Sequence, residues 1–72
     1  MRIDYTNNTL IVLLYDDSNL KTLLNSISEI ERYLHRQLSV DFASTKEIFI
    51  DVDDYFDYLA IRKLVLDFCP IY

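Results

Sequence analysis

Six aspartates are the residues of this chain best placed to do chemistry. Asp51, Asp53, Asp54 and Asp57 fall within seven positions behind the apolar run Ile48-Phe49-Ile50, and Asp16 and Asp17 close another apolar run, residues 9–15. Carboxylates are hard oxygen ligands, and several at one rim suit Mg²⁺ or Ca²⁺. Helix capping with a solvated negative end is the favoured reading of them, ahead of a charged patch for a basic partner and of a metal site. The two groups meet at one rim only if the strands that carry them run parallel. An EF-hand reading is excluded, because the chain has no glycine and the twelfth position counted from Asp51 is Arg62, where that loop needs glutamate.

Two further side chains could react. His35 is the single histidine and has no Ser or Cys placed beside it by motif. It is expected to be solvated at the negative end of a helix dipole. Cys69, the single cysteine, precedes Pro70. A catalytic thiol needs a partner and an electropositive pocket, so Cys69 is expected to be a packed thiol. One cysteine also excludes an intrachain disulfide and a Cys-rich zinc site. The absence of glycine excludes Gly-rich phosphate loops and the dinucleotide fingerprint. The expectation is therefore a non-enzyme, with no catalytic residue, no metal ligand and no cofactor.

The elements that position these residues follow from hydrophobic period. Residues 2–6 alternate as a strand, Asn7-Asn8 is a turn signal that tolerates the left-handed region, and residues 9–15 form a β-branched apolar run. A hairpin is expected over 2–15, its second strand central and covered on both faces. Leu20, Leu23, Leu24, Ile27, Ile30 and Leu34 recur at helical spacing, predicting a helix over 18–36. The stripe lasts under three heptads, so it is core and not a zipper. Leu38, Val40 and Phe42 alternate as a third strand, and Ile48, Ile50 and Val52 as a fourth. Ser44-Thr45-Lys46-Glu47 also fits a capping box, but the β preference of the following run favours a strand. Asp53 and Asp54 cap a last helix ending near Phe68, before Pro70. Tyr58, Ile61, Leu64, Val65 and Phe68 are its main apolar face, with Phe56, Leu59 and Ala60 widening it. The fold class is α+β: a single domain over 1–72, order ββαββα, one four-stranded sheet with two helices packed on one face.

That arrangement has a consequence for function. With Asn7-Asn8 as a two-residue loop, Tyr5 opposes Leu10 and Ile3 opposes Val12. Ile11, Leu13 and Tyr15 then point to the other face, as does Phe49. Two helices cover one face only, so Ile11, Leu13, Tyr15 and Phe49 form an expected apolar interface. The rival expectation is that Ile71 and Tyr72 fold back over this face.

Seventy-two residues supply only a modest core, and 51% hydrophobic content is a surplus that association would bury. A homodimer is expected. The formal charge of −5, from 12 acids and 7 bases, opposes direct nucleic-acid binding and fits a partner with a basic surface. Asp16, Asp17, Asp51, Asp53, Asp54 and Asp57 are the candidate acidic rim for that partner. No signal peptide and no membrane span are expected, and the lone thiol fits the cytoplasm.

Three resemblances bear on these residues. Asp51-Val52-Asp53 after Ile48-Phe49-Ile50 resembles the strand-ending Asp-x-Asp of haloacid-dehalogenase-type phosphatases, which implies a small Mg-dependent hydrolase; the likeness covers fewer than ten residues, and the chain has no room for the downstream lysine and acidic pair. Residues 9–41 resemble a thioredoxin-like strand–helix–strand unit without its Cys-x-x-Cys. In size and charge, the chain resembles phage or mobile-element inhibitors of the anti-CRISPR and anti-restriction type that imitate DNA charge. An interaction module of that inhibitory kind is the leading expectation. The alternative is a structural or regulatory subunit docking through the apolar sheet face.

Overall fold

A computed structural model describes residues 1–70. Ile71 and Tyr72, and with them any fold-back over the sheet, lie outside the described residues. The chain runs β1 (Arg2–Thr6), β2 (Thr9–Leu13), a 3-10 turn (Asp17–Asn19), α1 (Leu20–Leu34), β3 (Val40–Phe42), β4 (Glu47–Asp51) and α2 (Tyr55–Phe68). The strands form one antiparallel sheet in the order β1-β2-β4-β3. This is the α+β fold expected from the sequence, with both helices on one face.

Local chemistry accounts for the element boundaries. Asn7 and Asn8 close the β1–β2 hairpin with φ of 49° and 57°, the pair of positive values that a tight hairpin loop demands. The register follows, Ile3 opposite Val12 and Tyr5 opposite Leu10, as the two-residue loop predicts. Asp16 caps the 3-10 turn, its Oδ1 accepting from the Ser18 amide at 3.0 Å. α1 ends with its apolar stripe at Leu34, two residues short of the predicted end at 36. His35 adopts φ 52°, its amide donates to the Arg32 carbonyl and the Arg36 amide reaches the Glu31 carbonyl. That pair of bonds is a Schellman stop, held here by a histidine where glycine is usual. The capping-box reading of residues 44–47 gives way to a tight β3–β4 turn, in which the Lys46 amide donates to Ser44 Oγ at 3.2 Å.

One core lies between sheet and helices. Leu10, Val12, Ile48 and Ile50 supply the sheet side, and Leu23, Ile30, Ile61 and Val65 the helix side, all fully buried. Leu14, Leu38 and Val52 extend it at the sheet ends. Ser26 lets the helices approach closely, its hydroxyl lying 3.0 Å from the Thr22 carbonyl and 3.3 Å from the Phe68 carbonyl. Tyr5 packs on Tyr58 and Tyr55, with ring centroids at 4.7 and 5.5 Å, clamping the edge strand under the start of α2.

Three expectations need correction. β2 is central, yet only one of its faces is covered. Leu10 and Val12 are buried, while Ile11 and Leu13 are half-buried. Phe56, Leu59 and Ala60 do not widen the core face of α2 but are exposed, since at 100° per residue they lie opposite Tyr58, Ile61 and Val65. β3 is shorter than the alternation of Leu38, Val40 and Phe42 implies: Leu38 is buried ahead of the strand, and its amide is held by Glu31 Oε2 at 2.8 Å. No helix among the described residues is long and apolar enough to cross a membrane.

Candidate partner-binding face

The face of the sheet away from the helices is built by strict alternation. Register places Asp4, Ile11, Phe49 and Asp41 in one row across all four strands. The row on one side is Arg2, Leu13 and Glu47, and on the other Thr6, Thr9 and Asp51. Ile11 and Phe49 are thus direct cross-strand partners on the two central strands. Both are half-buried, as is Leu13, and none of the three belongs to the cluster packed against the helices. Tyr15, next in the alternation beyond Leu13, is 72% exposed. The expected interface residues Ile11, Leu13, Tyr15 and Phe49 therefore stand outside the core.

Acids fence this apolar centre. Asp4 and Asp41 flank the Ile11–Phe49 pair on the two edge strands, and Glu47 and Asp51 bracket Phe49 along β4. Arg2 is the one cation in these rows and pairs with Asp4 at 3.1 Å. Among the described residues, Asp41, Glu47 and Asp51 make no ion pair. Sequence reasoning missed Asp4, Asp41 and Glu47 as members of the site. The hairpin register and the period-2 alternation of β4 already placed Asp4 and Glu47 on this side. Asp41 became a neighbour of Phe49 only through the order of the strands.

The proposed acidic rim does not exist as one rim. β2 and β4 are antiparallel, with Thr9 opposite Asp51 and Leu13 opposite Glu47. Asp16 and Asp17 follow the end of β2, and Asp51, Asp53, Asp54 and Asp57 follow the end of β4, so the two groups sit at opposite ends of the sheet. The condition for a shared metal site, parallel strands, is not met. Three of the six acids are committed to local structure. Asp16 caps the 3-10 turn, and the Ser18 amide bond holds its carboxyl below the usual range. Asp54 caps α2, its Oδ1 accepting from the Asp57 amide at 2.8 Å. Asp57 receives both Nη atoms of Arg36, at 2.7 and 2.8 Å, and the Asp53 amide at 2.8 Å. The Arg36 hydrogen bonds are the main cause holding the Asp57 carboxyl below its usual range. Asp53 stands 3.6 Å from Arg36 Nη2 and is otherwise exposed. Asp51 alone of the six joins the open sheet face.

His35 is exposed, and Cys69 is buried with its amide bonded to the Val65 carbonyl at 2.9 Å. Among the described residues, no hydrogen bond or ion pair joins either side chain to a base or cation. Among the described residues no pocket opens, and no three His, Cys, Asp or Glu side chains gather as metal ligands would. No family model, curated protein or solved structure matches the chain.

Proposed function

We propose that this chain is a protein-binding module whose uncovered sheet face receives an apolar surface fringed with Lys and Arg. The observation that carries the reading is the row Asp4–Ile11–Phe49–Asp41, an apolar pair at the centre of the sheet with an acid on each side. Such a surface has an apolar centre to drive association and charge around it to select the partner and steer its approach. Two copies of this face laid against each other would bring like acids together. The acids therefore favour a basic partner over the symmetric sheet-face dimer expected from composition. A target that binds nucleic acid presents such a basic surface, so an inhibitor of the anti-CRISPR or anti-restriction type, working in the cytoplasm, is one form this module would take. The absence of a pocket among the described residues accords with surface recognition rather than enclosure of a small substrate.

A subunit docking through apolar contact alone is the second form, and Ile11, Leu13 and Phe49 support it. The two separate in a titration of ¹⁵N-labelled protein with a synthetic amphipathic peptide whose Leu/Phe stripe is flanked by lysines. Binding should shift the amides of Asp4, Ile11, Asp41 and Phe49, weaken with salt, and fail in Phe49→Asp. Binding that ignores salt and survives the Asp4→Asn/Asp41→Asn variant favours the apolar subunit. Shifts confined to α1 and α2, or undiminished binding by Phe49→Asp, would refute both.

A further inference from the structure

The outer face of α2 is the counterpart of the free sheet face. Phe56 is 79% exposed, Tyr55 53%, Leu66 47% and Leu59 40%. At 100° per residue, Phe56, Leu59, Lys63 and Leu66 fall on one stripe, opposite the buried Tyr58, Ile61 and Val65. Arg62 lies at one margin and the exposed Asp67 at the other. Lys63 and Arg62 are exposed and, among the described residues, unpaired. The stripe is therefore apolar with a net positive charge, two cations against one acid, whereas the sheet face is apolar with acids.

The two faces lie on opposite sides of the molecule, because α2 packs on the covered face of the sheet. We infer that the α2 stripe of one copy docks on the open sheet face of a second copy, in a head-to-tail contact. This rests on the reading of the sheet face as a docking surface and names one occupant for it. Dimensions agree: Phe56 to Leu66 spans roughly 15 Å of helix, against roughly 14 Å from end to end of a five-residue strand. A helix on the bare face also repeats the sheet–helix packing that already forms the core. Lys63 and Arg62 meet Asp41, Asp51, Glu47 and Asp4. A symmetric pairing of the sheet face with itself would set like charges together instead. The contact is heterologous, so each copy retains a free sheet face at one end and a free α2 at the other, and association propagates. One helix stripe on one sheet face is a small contact, and specific interfaces at the small end bury about 1,200 Å², so assembly is expected at high micromolar concentration.

Sedimentation velocity across a concentration series, on wild type and single variants, tests the contact. Wild type should grow progressively beyond dimer, and less so at high salt. Phe49→Asp, on the sheet face, and Phe56→Asp, on α2, should each be monomeric. An equimolar mixture of the two should form a one-to-one dimer and nothing larger, since one good sheet face meets one good helix. Asp41→Lys and Lys63→Glu, both exposed, should each weaken assembly without risk to the fold, and mixing them should restore it, because the two reversed charges complement each other. A symmetric sheet-face dimer predicts that Phe56→Asp still dimerises, and a symmetric α2 dimer that Phe49→Asp does. Either result, a mixture that stays monomeric, or a wild type that stays monomeric throughout, overturns the inference. In each of those cases the lysine-flanked peptide titration still decides separately whether the sheet face binds a basic partner.

Discussion

Truncating Asp57 to alanine should destabilise the fold more than the loss of an ordinary surface charge. The Asp57 side chain is 17% exposed and that of Arg36 34%, so the pair is screened less than an exposed one. Exposed ion pairs contribute about 0.2–1 kcal/mol, and breaking a fully buried one costs about 3–5 kcal/mol. A half-buried bidentate pair at 2.7 and 2.8 Å falls between these bounds, with a coupling of about 1–1.5 kcal/mol. Asp57 also accepts the Asp53 amide at 2.8 Å, whose loss adds about 0.5 kcal/mol because water can replace it there. Asp57→Ala should therefore cost about 2 kcal/mol, or roughly 8–16 °C in Tm for a domain of this size. The assay is thermal and urea unfolding by circular dichroism on wild type, Asp57→Ala, Arg36→Ala and the double variant. The double-variant cycle isolates the coupling. A coupling under about 0.3 kcal/mol would refute the claim that this pair joins the end of α1 to the start of α2. The pH dependence has a definite sign. Arg36 lowers the Asp57 carboxyl below its usual value, so the folded state holds it ionised where the unfolded chain, at about 3.9, begins to bind a proton. The contribution is complete above that value and is lost as pH falls through the lower folded one. The difference between wild type and Asp57→Ala should accordingly shrink in acid.

Other perturbations probe separate parts of the argument. His35→Gly should raise stability by about 0.5–1 kcal/mol, read as a higher Tm, because glycine adopts the left-handed stop without strain; a fall would show that the histidine ring contributes contacts of its own. Asn7→Val should slow or destabilise folding by about 1–2 kcal/mol, since a β-branched residue resists positive φ, and unchanged urea unfolding would contradict the turn. Leu23→Ala removes a fully buried side chain and should cost about 2–5 kcal/mol, enough to leave much of the chain unfolded at room temperature by circular dichroism. Ile11→Asp should abolish peptide binding while leaving the far-ultraviolet spectrum folded; loss of the spectrum would place Ile11 in the core.

Much of the fold is legible in the residue pattern because it depends on local chemistry. Asn7-Asn8 dictates a two-residue loop, and the loop dictates which residues of β1 and β2 share a face. The period of Leu23, Ile27 and Ile30 dictates which side of α1 is buried. Alternation around Phe49 likewise placed it with Ile11, Leu13 and Tyr15 on a side that two helices do not reach. The stop at His35 was not legible, since a left-handed histidine carries no compositional signal. The outward turn of Phe56 and Leu59 was hidden for a related reason: an apolar residue next to an apolar core face looks the same in sequence whether it widens that face or stands opposite it.

Strand order and direction were decided by the tertiary structure alone. Nothing within a strand states whether its neighbour runs parallel or antiparallel, because that depends on how the connecting helix returns the chain. The antiparallel pairing of β2 with β4 is what sends Asp16 and Asp17 to one end of the sheet and Asp51, Asp53 and Asp54 to the other. The same pairing sets Ile11 against Phe49, and the placing of β3 at the edge brings Asp41 beside them. Residue types and period determined that an apolar face would be left bare; long-range pairing determined which acids surround it.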